Sequence, residues 1–169
     1  MSAQFLSNSI IFIPCRRNSK GVPFKNRKLF RFTIDAIPPE HWDNILVSTD
    51  DEYIIEKCKQ LGLSCLTRSA NTCGDTASTK AVIIESLPSL KKKYIIMLYL
   101  TYPERTWDKV MGAIAFYKAS NARSMLCRKT LKTSPYLMMY RDGLKANNLL
   151  SMICTEDKNI QNVLKLVTT

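Results

Sequence analysis

The sequence predicts an α/β domain, a mostly parallel sheet with helices on both faces. Three observations carry this. Short apolar runs appear without polar alternation, as in strands covered on both sides. Segments of helical period separate them. The strand ends open on polar loops, at 14–26, 48–51 and 100–106, where open α/β sheets place their ligands.

Ile10 to Ile13 is the first buried strand and stops at Pro14. It empties into Cys15-Arg16-Arg17-Asn18-Ser19-Lys20-Gly21-Val22-Pro23-Phe24-Lys25-Asn26, a loop broken by Gly21 and Pro23. Between Arg16 and Arg31 stand seven Lys or Arg and no Asp or Glu, a local field that suits an anion, above all a polyphosphate. A solvated basic surface is the other reading of the same residues. No glycine-rich phosphate cradle is present, so binding rests on side-chain cations.

Leu29 to Ile37 reads as a short helix or turn that Pro38-Pro39 stops. Asn44 to Ser48 is the second strand. Thr49-Asp50-Asp51 caps a helix with Ile54, Ile55, Cys58 and Leu61 on one face, and Gly62 ends it. Leu63 to Leu66 is the third strand and completes a βαβ unit, whose strands run parallel through a right-handed crossover.

Arg68 to Thr79 is polar and turn-rich. Gly74-Asp75-Thr76 leads into a helix through Ala81, Val82, Ile84, Glu85 and Leu87, closed by Pro88. Lys91-Lys92-Lys93 reads as a solvated turn before the next strand, Tyr94 to Leu100. Thr106 caps a helix from Trp107 to Ala119 with Val110, Met111 and Ile114 inward. Ser124 to Arg128 is a fifth candidate strand, and Tyr136 to Tyr140 with the Asp142-Gly143 turn suggests a hairpin.

With 169 residues, 46% hydrophobic and 23% charged, the chain fits one globular domain over 1–169 and excludes disorder as its state. The net charge of +11 favours anionic partners. Six cysteines without a Cys-x-x-Cys pair, and the single histidine His41, argue against zinc. No apolar run approaches a membrane span and the start does not read as a signal peptide, so a cytoplasmic chain with reduced thiols is expected. Phe24, Phe30 and Phe32 are the only aromatics near the basic loop and no nucleic-acid motif is present, so nucleic acid is not an expected partner.

Arg16-x-Asn18-Ser19-Lys20-Gly21-x-Pro23-x-Lys25-Asn26, directly after the first strand, resembles the signature of the CMP-sugar acid synthetases. These are the cytidylyltransferases of sialic acid and related nonulosonic acids, with the Kdo cytidylyltransferases as cousins. Three later stretches are similar in order and spacing: Val47-Ser48-Thr49-Asp50-Asp51; Arg68 with Gly74-Asp75-Thr76-Ala77-Ser78-Thr79; and Thr101-x-Pro103-x-Arg105-Thr106 followed by Ser134-Pro135-Tyr136. The resemblance runs from about residue 9 to residue 143.

The resemblance implies a Rossmann-like nucleotidyltransferase fold. It implies attack of a sugar acid's anomeric hydroxyl on the α-phosphorus of CTP, with pyrophosphate released and Mg²⁺ as cofactor. Arg16 and Lys20 are then the catalytic cations. Arg16, Lys20, Lys25 and Asn26 hold the triphosphate end, while Arg68, the backbone near Ala77 and the Thr79 hydroxyl read the base and ribose. Tyr99 and Arg105 fall at the acceptor end, where Arg105 either pairs with a carboxylate or supports its loop. Asp50 and Asp51 read as helix-start charges, with Asp75 a helix cap or a ligand; all three are the available substitutes for metal ligands. Cys15 and Cys73 read as small packing residues.

Two departures alter what the resemblance implies. Leu98-Tyr99-Leu100-Thr101-Tyr102-Pro103 stands where the family carries Leu-Gln-Pro-Thr-Ser-Pro, so a sugar contact is changed. Family members continue past the equivalent of Thr169 through a dimerisation segment and late metal-binding aspartates. The metal ligands are therefore unassigned, a homodimer is an open expectation, and a non-catalytic CTP-binding chain is the alternative to an active enzyme.

Overall fold

The computed structural model describes residues 2–18, 22–74, 76–120, 122–127, 139–142 and 145–148. Two compact units divide the chain, Met1–Ala122 and Arg123–Thr169.

The first unit is built on four parallel strands: β1 (Ser9–Pro14), β2 (Ile45–Thr49), β3 (Ser64–Thr67) and β4 (Tyr94–Met97). Their order is β3-β2-β1-β4. β1 is an inner strand and apolar from Ile10 on, with Ile11, Phe12 and Ile13 fully buried. Its alternate side chains serve opposite faces of the sheet. Ile11 and Ile13 join Ile45 and Val47 under three helices, α2 (Lys25–Asp35), α3 (Glu52–Leu61) and α6 (Trp107–Ala119), which contribute Phe30, Ile34, Ile54, Cys58, Val110 and Ile114. Ile10, Phe12 and Leu46 face the other way, against Val82 of α5 (Thr79–Ser86). Helices thus cover both faces of the sheet.

The helix ends follow the chemistry of the sequence. The Asp51 carboxylate accepts the Tyr53 amide at 3.1 Å to start α3, and Gly62 ends that helix in the left-handed region at φ 70°. Ser78 and Thr106 cap α5 and α6 through their hydroxyls, bound to the amides of Ala81 and Lys109.

Several boundaries differ from expectation. α2 begins at Lys25, four residues before Leu29, because Phe24 adopts φ 52°, ψ 28° and turns the chain into the helix without a side-chain cap. Lys25 and Asn26 therefore lie on a first helical turn and not in a loop. β4 ends at Met97 although the apolar run continues to Leu100; Leu98 makes one more bond, its amide to the Phe12 carbonyl at 3.0 Å, and the chain then turns away with Leu98 and Leu100 buried in the core. Ser124–Cys127 is not a strand, and Leu126 is 72% exposed, so the apolar character there has no sheet to join.

Three elements had no strong sequence signal. α1 (Ser2–Ser7) brings Phe5 onto Tyr94, rings stacked at 4.4 Å. Pro39–Asn44 forms a 3₁₀ turn, with Pro38 just before it as the cap. α4 (Ala70–Cys73) is a single turn within the polar segment before α5.

In the second unit, β5 (Met139–Asp142) and β6 (Lys145–Asn148) pair antiparallel, Asp142 opposite Lys145, so the hairpin forms. Gly143 of its expected turn lies outside the described residues, as do Ser134, Pro135 and Tyr136. Among the described residues no helix is long and apolar enough to cross a membrane.

Candidate functional site

The strand order fixes where a ligand fits. The chain steps outward from β1 to β2 to β3, then returns to the other side of β1 for β4. The loops after β1 and β4 diverge there and leave a crevice at the carboxyl ends of the strands. A cleft of about 220 Å³ occupies this position. Pro14 and Arg16 come to it from the end of β1, Lys25 and Asn26 from α2, and Arg68 from the end of β3. Ala77, Thr79 and Val82 come from the start of α5, and Tyr99, Leu100 and Thr101 from the turn after β4.

Hydrogen bonds hold these walls to one another. The Asn26 amide donates to the Arg16 carbonyl at 2.7 Å, so the first turn of α2 fixes the strand exit. Arg16 Nη1 donates to the Gly74 carbonyl at 3.3 Å, across the cleft mouth. The Asp50 carboxylate accepts the Arg17 amide at 2.6 Å and ties the β1 and β2 exits together.

Arg68 is anchored on three sides. Its amide bonds the Thr49 carbonyl at 3.0 Å, Nε reaches the Ser48 hydroxyl at 3.0 Å and carbonyl at 3.2 Å, and Nη1 reaches the Thr72 carbonyl at 3.4 Å. Burial draws this guanidinium below its ordinary pKa, with Asp50 and Glu85 pulling the other way. An arginine keeps its charge under such a shift, so the cleft holds a fixed, partly desolvated cation.

The Tyr99 hydroxyl stands 3.2 Å from the Thr79 hydroxyl. Arg105 does not line the cleft. Its Nη2 donates to the Tyr99 carbonyl at 2.8 Å, while Nη1 is buried without a hydrogen-bond partner. It thus supports the turn that presents Tyr99. Lys20 lies outside the described residues, as does Asp75.

The carboxylates at the strand ends are committed elsewhere. Asp51 is fully buried and bound to Arg27 through both oxygens, at 2.8 and 2.9 Å. Among the described residues no three His, Cys, Asp or Glu side chains come together to hold a metal. Both oxygens of Asp51 are thus taken by Arg27 and do not fit a magnesium ion, while Asp50 has one oxygen on the Arg17 amide. Cys15, buried beside Thr49, has its thiol pushed up to about 12 by desolvation and is no nucleophile at neutral pH.

Of the nine residues that the sequence nominated, Arg16, Lys25, Asn26, Arg68, Ala77, Thr79 and Tyr99 line this cleft, Arg105 does not, and Lys20 lies outside the described residues. It missed Pro14, Val82, Leu100 and Thr101, apolar or small residues whose place in the wall follows from strand ends and not from side-chain chemistry.

A family model described as Cytidylyltransferase matches residues 10–106, which is more than half of the chain and ends where α6 begins. The chain belongs to the cytidylyltransferase family. Its cytidylyltransferase relatives include the N-acylneuraminate cytidylyltransferase of Streptococcus agalactiae serotype V, 28% identical over 138 residues, which are 76% of this chain and 33% of that protein. The pseudaminic acid cytidylyltransferase of Campylobacter jejuni serotype O:2 is 33% identical over 108 residues, 56% of this chain and 47% of that protein. This cytidylyltransferase chain thus spans from a third to about half of the length of these relatives. A solved CMP:2-keto-3-deoxy-manno-octonic acid synthetase complexed with CTP shares the fold, with a TM-score of 0.53 at 18% identity over 68% of this chain and 48% of that one.

Proposed function

We propose that this chain binds CTP in the β1–β4 cleft and transfers CMP to the anomeric hydroxyl of a sialic-acid-like sugar acid, releasing pyrophosphate. The observation that carries the reading is the meeting, at the switch point of the sheet, of fixed cations from one side with a polar, narrow pocket wall from the other.

The division of labour is assigned from the place of each residue in the cleft and in the sequence. Arg16, with Lys25 on the first turn of α2, faces the end where a triphosphate would lie. The cations there neutralise charge that builds on the leaving pyrophosphate as the anomeric oxygen bonds to the α-phosphorus. Lys20 is assigned to the same task by its place in the sequence. Asn26 keeps the Arg16 backbone in position through its 2.7 Å bond. Arg68 and the Ala77–Thr79 segment take the cytosine and ribose end, and Tyr99 stands between that end and the acceptor. Magnesium enters this proposal as the counter-ion of CTP, which its own phosphates hold; no step is routed through the carboxylates described above. A homodimer and a cytoplasmic setting complete the proposal.

One observation favours a second reading, a chain that binds CTP without turning it over. Asp51, a candidate substitute metal ligand, is bound to Arg27. Calorimetric titration with CTP, ATP, GTP and UTP, with and without Mg²⁺, followed by pyrophosphate release on N-acylneuraminate, pseudaminic acid and Kdo, separates the two. Selective CTP binding with turnover is expected. Binding without turnover favours the second reading, and no nucleotide binding overturns both.

A further inference from the structure

Glu85 lies outside the cleft, yet its carboxylate joins the two chain segments that form one of the cleft walls. Oε1 accepts the backbone N–H of Ser69 at 2.8 Å, and Oε2 accepts the Thr72 hydroxyl. Ser69 directly follows Arg68, and the Thr72 carbonyl accepts from Arg68 Nη1. Glu85 itself is on α5, the helix that begins with Thr79 and carries Val82, both in the cleft wall. One side chain therefore sets the spacing between Arg68 and the start of α5.

A backbone bond from the Ala77 amide to the Gly74 carbonyl, at 3.2 Å, joins the same two segments at their near ends. Ser69 caps α4 without a side-chain bond of its own, so its amide depends on Glu85. Thr72 is 5% exposed, and the Ser69 carbonyl at 3.3 Å is the alternative acceptor for its single hydroxyl proton. An ionised carboxylate accepting two hydrogen bonds holds such a turn more firmly than a neutral group would. Its charge also lies in the field of the Arg68 guanidinium.

We propose that Glu85 is a positioning residue for the base-reading end of the site, fixing Arg68 against the Ala77–Thr79 segment so that cytosine is told from uracil. The proposal rests on the CTP reading above. Cytosine and uracil differ at one ring edge, so discrimination depends on donors and acceptors held in register. A turn that drifts keeps the triphosphate contacts and loses that register.

The test uses the full chain and the variants Glu85→Ala, Glu85→Gln and Thr72→Val. Glu85→Ala is expected to speed amide exchange across residues 69–73 and to weaken CTP binding about tenfold, the scale of a lost charged hydrogen bond. The preference for CTP over UTP falls, while affinity for inorganic pyrophosphate is unchanged. Glu85→Gln restores both, since its amide oxygen accepts from Ser69 and its NH₂ donates to the Thr72 oxygen. Thr72→Val, close to isosteric, gives a partial loss in the same direction. A folded Glu85→Ala chain with unchanged exchange overturns the proposal, as does faster exchange with unchanged CTP preference. If the wild-type chain does not prefer CTP, the CTP reading fails and this role with it, whereas exchange at Ser69 still reports on the bridge by itself.

Discussion

Arg27 donates from Nε and Nη2 to the two oxygens of Asp51, a carboxylate with no exposed surface, and lies between two rings, 4.3 Å from Phe24 and 5.3 Å from Tyr53. The pair clamps α2, which presents Lys25 and Asn26, to the start of α3. It also explains why Phe24 tolerates a left-handed backbone, since its ring is held by the guanidinium that follows it.

Removing either partner has unequal effects. Asp51→Ala removes the cap of α3 and is expected to cost about 2 kcal/mol, the upper range for an N-cap. Arg27→Ala is expected to cost more, because it strands a buried carboxylate, whereas the Arg27 left by Asp51→Ala can reach water. Urea denaturation of both variants checks the order; equal losses would show that the carboxylate finds another donor.

Asn26→Ala removes the bond that fixes the Arg16 backbone, and a neutral hydrogen bond is worth about 1 kcal/mol. CTP affinity is expected to fall roughly fivefold with little change in melting temperature. Asn26→Asp is expected to do worse, since it sets an acceptor against the Arg16 carbonyl and adds a negative charge beside the phosphates. Titration calorimetry on the two variants distinguishes them.

The thiols divide by burial. Cys127 is exposed, while Cys15 and Cys58 are buried, and desolvation raises Cys15 to about 12. Cys58 is pushed up as well, by its hydrogen bond with Cys65 and by burial. Iodoacetamide at pH 8 is expected to label Cys127 rapidly and to reach Cys15 and Cys58 only on unfolding. Fast labelling of Cys15 with retained circular dichroism would contradict the packing of the β1 exit.

Glu85 titrates below the ordinary carboxylate value, first because the Ser69 and then the Thr72 hydrogen bonds favour its ionised form. A carboxylate depressed on folding contributes stability above its unfolded pKa and loses it as pH falls through the folded one. Between pH 5 and pH 3, roughly the window set by an unfolded Glu near 4.3, the wild-type melting temperature is expected to fall more steeply than that of Glu85→Gln. Parallel acid limbs would show that Glu85 keeps its bridge when protonated.

The succession of strands and helices was legible because β1 and β2, buried along their length, read as apolar runs, and the helical periods between them set off the less buried β3 and β4. The caps at Asp51 and Thr106 were equally plain, being small polar residues directly before helical periods, whereas α5 is capped by Ser78 and the sequence had pointed to Asp75 and Thr76. Phe24 starts α2 by a backbone conformation that its side chain does not announce, so Lys25 and Asn26 seemed to lie in a loop. Leu98 and Leu100 are apolar for burial in the core after the strand pairing has ended, and period alone does not separate the two. Among site residues the charged and hydroxylic ones were visible from chemistry. Pro14, Val82, Leu100 and Thr101 required the strand order, which sequence alone leaves open. Glu85 looked like one more residue of its helix, because its partners Ser69 and Thr72 lie in a different segment.

The adjacency of β1 and β4 has a further consequence for how the chain acquires its cleft. Ile10 pairs with Ile95, partners whose numbers differ by 85, whereas β1 with β2 and β2 with β3 close much shorter spans. Loop closure over longer spans is slower, so the βαβ half assembles first and the β4 seam zips afterwards. Emerging from a ribosome, the basic exit of β1 is thus made long before the Tyr99 turn that faces it, and the cavity comes into being only when β4 joins the nascent sheet.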